Sequence, residues 1–86
     1  MIFRYTSHAI EEMKRRGISK EIADRVCYFP EQKIPQDNGR VVHQSQIEVE
    51  PGRIQLIRVF IDPNDNPPAV VTAYRTSKIE KYWSTS

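Results

Sequence analysis

Three side chains near the start of the chain have a spacing that suits phosphate chemistry. His8, Glu12 and Arg16 are four residues apart, so a helix would place them along one edge. In the first turn of such a helix the dipole disfavours a charged imidazole ring, which leaves His8 available as a neutral base. The alternative is an ordinary solvent-exposed helix edge, because exposed histidines are common.

Hydrogen-bond donors are concentrated near the other end of the chain. A phenol, a guanidinium, two hydroxyls and an ammonium follow one another there, and each can donate to a phosphate oxygen. The candidate phosphate-binding residues are Arg58, Tyr74, Arg75, Thr76, Ser77, Lys78 and Lys81. The alternative is a strand end followed by a helix cap, with Ser77 as the cap and Lys78 in solvent.

Together these residue types could cleave RNA without a metal ion. In such a reaction a base removes the 2′-hydroxyl proton, cations stabilise the charged phosphorane, and an acid protonates the leaving 5′-oxygen. His8 would be the base or, when protonated, the acid. Arg16 would hold the phosphate together with Arg75 or Lys78. Tyr74 would orient the phosphate.

The sequence contains no metal or cofactor motif. Its two histidines and single cysteine do not have the spacing of metal ligands, and its three glycines suit a helix stop and two turns rather than a phosphate-binding loop. We therefore predict neither a metal site nor a cofactor. His43 alternates with apolar residues and Cys27 lies beside Val26, which favours structural roles for both.

Capping and turn residues predict two helices followed by strands. Thr6, Ser7 and Gly17 bound a helix over 8–16, and Ser19 and Pro30 bound a second over 20–28. Turn signals then separate strands over 32–36, 40–49, 53–61 and 69–75, and residues 76–83 suit a final helical turn. We predict an α+β fold in which two N-terminal helices pack on a four-stranded antiparallel sheet.

Length and composition are those of one small domain, which would comprise residues 1–86. Hydrophobic residues make up 38% of the chain and charged residues 28%, as in ordinary globular proteins. A single cysteine excludes an intrachain disulfide and favours the cytoplasm, and no apolar run is long enough to span a membrane. The net charge is +2 in residues 1–30, −2 in 31–68 and +2 in 69–86. Basic ends of this kind could form one polyanion-binding face.

Both ends of the chain carry recognisable short motifs. Residues 7–19 contain His-Ala, Met and Arg-Gly-Ile, and residues 71–83 contain Tyr-Arg-Thr-Ser-Lys. This pattern resembles a small bacterial and archaeal family of unassigned function. That family is grouped with the barnase–EndoU–colicin–RelE superfold of metal-independent ribonucleases. The residues at matching positions are His8, Arg16, Tyr74, Thr76, Ser77 and Lys78.

The resemblance implies a RelE-like or barnase-like fold and an RNA-cleaving, toxin-like enzyme. The expected partners are RNA, with or without the ribosome, and an antitoxin protein. Position 12 is usually basic in the family, and the acid present here, Glu12, would raise the pKa of His8 and weaken phosphate binding. The alternatives are a non-catalytic module that binds RNA or protein, and an accessory protein that serves assembly. Convergence of His8 and Arg16 with Tyr74 or Lys78 would favour the enzyme.

Overall fold

The computed structural model describes residues 2–85 and has an α+β fold, as predicted. Its elements are β1 (Arg4–Tyr5), α1 (Ser7–Arg16), α2 (Lys20–Tyr28), β2 (Gln32–Pro35), β3 (Val41–Glu50), β4 (Arg53–Asp62), β5 (Ala69–Thr76) and α3 (Ile79–Tyr82). The strands form one sheet in the order β1-β5-β4-β3-β2. Strands β2 to β5 begin and end within one residue of their predicted limits.

The prediction of a purely antiparallel, four-stranded sheet is wrong, because a fifth strand makes the sheet mixed. β1 runs parallel to β5, with Arg4 opposite Ala69. The backbone N–H of Thr6 also donates to the carbonyl of Val70 at 3.1 Å. A strand of two residues is too short to show the alternation by which strands are identified. The sequence therefore gave no signal for β1.

Helix α1 is fixed to β5 at both ends. At its start, the Thr6 hydroxyl caps the helix by accepting a hydrogen bond from the Ala9 N–H at 3.0 Å, and it donates to the carbonyl of Val71 at 3.4 Å. The helix ends at Gly17, which is left-handed with φ of 69°. A β-carbon at Gly17 would lie 3.4 Å from Nη2 of Arg75, so this guanidinium sits at the carboxyl end of α1. Helix α1 therefore runs alongside β5 in the same direction.

The two faces of the sheet differ in what covers them. Helices α1 and α2 cover one face, where the core includes Ala9, Met13, Ile57 and Val59. Because side chains alternate along a strand, Arg58 projects from the opposite face, which we call the outer face. Helix α3 lies on the outer face, since the ring of Tyr82 covers the Arg58 guanidinium.

His43 joins β3 to α2 inside the core. Its side chain is buried, and its Nδ1–H donates to the carbonyl of Cys27 at 2.9 Å. Burial lowers the pKa of His43, and Lys33 adds to this effect, although the carbonyl of Cys27 opposes it. Burial also raises the pKa of Cys27 to about 11, so this thiol is not a nucleophile near neutral pH.

Removing the Thr6 cap should cause a measurable loss of stability. We expect Thr6→Ala to lower the free energy of unfolding by about 1 kcal/mol, because both the cap and the link to Val71 are lost. Thr6→Ser keeps the hydroxyl and should remain close to the parent. Urea denaturation measures both variants. Equal destabilisation by serine and alanine would show that the methyl group, rather than the hydroxyl, is responsible.

The buried imidazole of His43 predicts a pH-dependent stability. Its folded pKa lies below the ordinary value of 6.5, so the unfolded chain binds the proton more readily. This contribution is fully present above about pH 6.5 and declines as the pH falls toward the folded pKa. We expect His43→Asn to remove this decline between pH 7 and 5, as measured by urea denaturation. His8→Asn is the control and should keep it; a decline unchanged in His43→Asn would contradict the prediction.

Candidate functional site

The centre of the outer face is a buried arginine without an acidic partner. Arg58 is 7% exposed; its Nε donates to Oε1 of Gln44 at 2.8 Å and its Nη1 to the Tyr74 hydroxyl at 2.7 Å. Within residues 2–85, none of the five ion pairs includes Arg58. Its Nη2 has no hydrogen-bond partner within residues 2–85. In that range, the only fully enclosed polar side-chain atom without a partner is Oε1 of Gln55. Nη2 of Arg58 is therefore not fully enclosed.

Three aromatic rings surround this guanidinium. Its central carbon lies 4.3 Å from the ring centre of Tyr82, 5.3 Å from that of Phe60 and 5.7 Å from that of Tyr74. The rings of Phe60 and Tyr74 are stacked at 5.8 Å with an angle of 25° between their planes. Ring faces are electron-rich and attract a cation, so the rings partly replace the missing carboxylate.

Arg16 reaches the same place from α1. Its guanidinium carbon lies 5.8 Å from the ring centre of Tyr74. The structure thus brings together two predicted site residues from opposite ends of the chain. We call the set of Arg16, Arg58, Phe60, Tyr74 and Tyr82 the arginine cluster.

Glu12 holds Arg16 in position. Its Oε1 accepts hydrogen bonds from Nη2 of Arg16 at 3.2 Å and from Nη2 of Arg15 at 2.9 Å. Partial burial acts to raise the pKa of Glu12, but the hydrogen bonds from Arg15 and Arg16 outweigh it and keep the pKa below its usual value. The carboxylate is therefore charged at neutral pH and neutralises part of the positive charge beside the cluster.

His8 lies on the same edge of α1 but does not contact the arginine cluster. Its side chain is exposed and makes no hydrogen bond or ion pair in the described part of the chain. Eight residues of helix separate it from Arg16, a rise of roughly 12 Å along the axis. The catalytic role of His8 remains a prediction.

The other predicted residues are divided between the two faces and the turn after β5. Arg75 pairs with the core residue Ile57 and lies on the helix-covered face, away from Tyr74. The Thr76 hydroxyl accepts from the Lys78 N–H at 3.0 Å. Lys81 lies 5.3 Å from the ring centre of Tyr82. The residues that line a shallow depression at this turn are Ser77, Lys78, Ile79, Glu80 and Lys81.

Two glutamines hold the end of the chain on the outer face. Nε2 of Gln44 donates to the carbonyl of Tyr82 at 3.1 Å and to Oε1 of Gln32 at 2.8 Å. Gln32 in turn exchanges hydrogen bonds with the backbone of Ser84, at 2.7 and 3.1 Å. These bonds place the Tyr82 ring on Arg58.

Sequence reasoning missed three residues of this site: Tyr82, Phe60 and Gln44. The available signal was Arg58, a charged residue within a largely apolar strand; β3 is mostly polar, so Gln44 does not stand out there. The position of Tyr82 gave no such signal, because it depends on how the last residues fold back.

The two phenols differ in acidity. Burial raises the pKa of Tyr74 and the Tyr82 hydroxyl adds to this, while Arg58 opposes it. The pKa of Tyr82 is lowered, first by the Tyr74 hydroxyl and then by Lys81. A pair of titratable groups whose pKa values are pushed apart is suited to acid and base roles.

A comparison with protein-family models finds no match, and neither does a comparison with curated proteins or with solved structures. Residues 2–85 contain no group of three or more His, Cys, Asp or Glu side chains that could hold a metal ion. Among the described helices, none is long and apolar enough to cross a membrane.

Because Arg58 donates to the Tyr74 hydroxyl, removing this hydroxyl should destabilise the protein more than removing that of Tyr82. We expect Tyr74→Phe to lower the free energy of unfolding by about 1–3 kcal/mol, because the buried Nη1 of Arg58 loses its acceptor. Tyr82→Phe is the matched control: it keeps the ring on the guanidinium and should cost less. Urea denaturation measures both. An equal loss in the two variants would contradict the assigned hydrogen bond.

Proposed function

We propose that the protein is a metal-independent, toxin-like endoribonuclease with a RelE-like or barnase-like fold. The observation that carries the proposal is the arginine cluster, in which an unpaired, buried guanidinium meets two phenols and a second guanidinium. These residues come from three separate parts of the chain. The chemical types match those that RNA cleavage without a metal requires.

Arg58 is the proposed phosphate anchor. Its Nη2 is not fully enclosed and has no partner in the described residues, while Nε and Nη1 are held in place by Gln44 and Tyr74. A cation that is fixed and partly desolvated binds an anion more strongly than a mobile surface lysine would. Arg16 supplies a second cation, which moves to the phosphate when Glu12 releases it.

The rings of the cluster favour an unpaired strand as the substrate. Phe60 and Tyr74 are stacked on each other and only half-buried, so part of this aromatic surface is accessible. Bases of single-stranded RNA stack on such rings, whereas duplex bases are already stacked on their neighbours. A base on this surface would bring its phosphate toward Arg58.

The two phenols take the proton-transfer roles in the proposed reaction. Tyr82, whose pKa is lowered, reacts as the phenolate: it accepts the 2′-hydroxyl proton while the 2′-oxygen attacks phosphorus. Tyr74, whose pKa is raised, donates a proton to the departing 5′-oxygen. The P–O5′ bond breaks, leaving a 2′,3′-cyclic phosphate and a 5′-hydroxyl. Arg58 and Arg16 stabilise the charge that develops on the phosphorane.

The biological setting follows from the resemblance of the chain ends. A toxin-like ribonuclease acts in the cytoplasm and is kept inactive by an antitoxin protein. The ribosome is a suitable second partner, because it would select the RNA that reaches the proposed outer-face site. Thr76, Ser77, Lys78 and Lys81 would then contact the RNA backbone beside the cluster.

A non-catalytic RNA-binding module is the second candidate. It is favoured by the position of His8, which makes no contact with the cluster, and by Glu12, which keeps Arg16 occupied. In this case the arginines and rings bind RNA, and no bond is cleaved. Its RNA affinity would depend on salt, and that dependence would weaken when Arg16 or Lys78 is replaced.

Cleavage of a defined single-stranded RNA tests the enzyme proposal. We expect products with a 2′,3′-cyclic phosphate, identified by mass spectrometry, and no cleavage where a 2′-deoxy nucleotide occupies the site. Tyr82→Phe should reduce the rate by about 10²-fold or more, because it removes the proposed base but keeps the ring. Arg58→Gln should reduce both binding and cleavage.

The control variant is Arg53→Gln, which removes an exposed arginine at the far hairpin turn. It should cleave and bind as the parent does. If the RNA stays intact but binds in a salt-dependent manner, the enzyme proposal is rejected in favour of the binding module. If the RNA is neither cleaved nor bound in a salt-dependent manner, both the enzyme and the binding module are rejected.

A further inference from the structure

An apolar groove lies on the flank of α1 that points away from the arginine cluster. It has a volume of about 310 Å³ and lies between α1 and the start of α2. The residues that line it are Tyr5, Ile10, Met13, Lys14, Ile18, Ser19 and Lys20. Met13 and Ile18 are core residues, each 5% exposed, and Ile10 is 44% exposed. The groove therefore leads from solvent to the edge of the core.

The position of the groove separates it from the phosphate site. A helix turns by about 100° per residue, so Ile10 and Lys14 lie roughly 180° around α1 from the edge that carries Glu12 and Arg16. A ligand in the groove would not cover Arg58, which is on the other face of the sheet. The groove is thus a separate binding surface, independent of the proposed function.

The rim of the groove is positively charged. Lys14 makes no ion pair in the described part of the chain. Lys20 pairs with Asp24 at 3.1 Å and keeps 72% of its side chain exposed. No acidic side chain is among the residues that line the groove.

Asp24 holds two of the residues that line the groove. One carboxylate oxygen of Asp24 accepts a hydrogen bond from the Tyr5 hydroxyl at 2.5 Å, and the other accepts from Lys20. These hydrogen bonds outweigh the effect of partial burial and keep the pKa of Asp24 below its usual value. Asp24 thus holds Tyr5 and Lys20 in place, and Lys14 is the other cation on the rim.

We infer that this groove binds an acidic amphipathic helix of a partner protein. A bulky apolar side chain of that helix enters between Ile10 and Ile18, and its flanking carboxylates contact Lys14 and Lys20. An apolar floor with a basic rim matches such a helix in both properties. Nucleic acid would match the rim but leave the apolar floor unfilled.

The experiment uses a short labelled peptide that carries leucines along one helical face and glutamates beside them. Two matched peptides replace either the glutamates by lysines or the leucines by serines. We expect fluorescence anisotropy to show binding of the first peptide only. Ile10→Ser should weaken binding about tenfold or more, since a central apolar contact is lost, and Lys14→Glu should weaken it as well.

Ile54→Ser is the matched control, because Ile54 is 50% exposed and lies at the far end of β4. It should bind like the parent, and so should Arg58→Gln, whose separate loss of RNA binding concerns the other site. Any one of three results would overturn the inference: the lysine peptide binds as tightly as the glutamate peptide, Ile10→Ser leaves peptide binding unchanged, or Ile54→Ser weakens it as much as Ile10→Ser does. Self-association that Ile10→Ser abolishes, with no peptide binding, would assign the groove to a second copy instead.

Discussion

The buried charge of Arg58 constrains most of the outer face. Moving a guanidinium out of water costs several kcal/mol, and here no carboxylate offsets that cost. Gln44 and Tyr74 must therefore lie directly across from Arg58 on the two neighbouring strands, as the pairing of β3, β4 and β5 places them. If any one of these strands slipped by one residue, its side chain would turn toward the helices and the set would be broken. The strand register and the arginine cluster thus depend on each other.

Two further contacts adapt the surroundings to this charge. The Gln32 and Gln44 amides bind backbone atoms of the last residues, which brings an aromatic ring over the guanidinium. On the other side, Glu12 neutralises part of the second arginine that approaches Tyr74. The cluster therefore contains an arginine with no carboxylate partner among residues 2–85, while the total positive charge around it stays moderate. Under the proposed function, an anion that binds here competes with Glu12 for Arg16.

Much of the fold could be predicted, because it is encoded in local signals. Thr6 and Ser19 cap the two helices as expected, and turn residues placed β2 to β5 within one residue. The parallel strand β1 could not be predicted, since two residues carry no period and their partner is far away in sequence. For the site, local patterns identified Arg16, Arg58 and Tyr74 as candidates. They could not indicate that Arg75 would face the core or that Tyr82 would cover Arg58, because both depend on long-range packing.

The pairing of β1 with β5 has a consequence for protein synthesis. This contact joins Arg4 to Ala69, and the arginine cluster likewise needs Arg16 together with Tyr74 and Tyr82. Contacts between such distant residues form late, because most of the chain must first be closed into a loop. A nascent chain therefore lacks the complete cluster until residues 74–82 have left the ribosomal tunnel. Under the proposed function, the order of translation itself delays the moment at which this surface engages RNA.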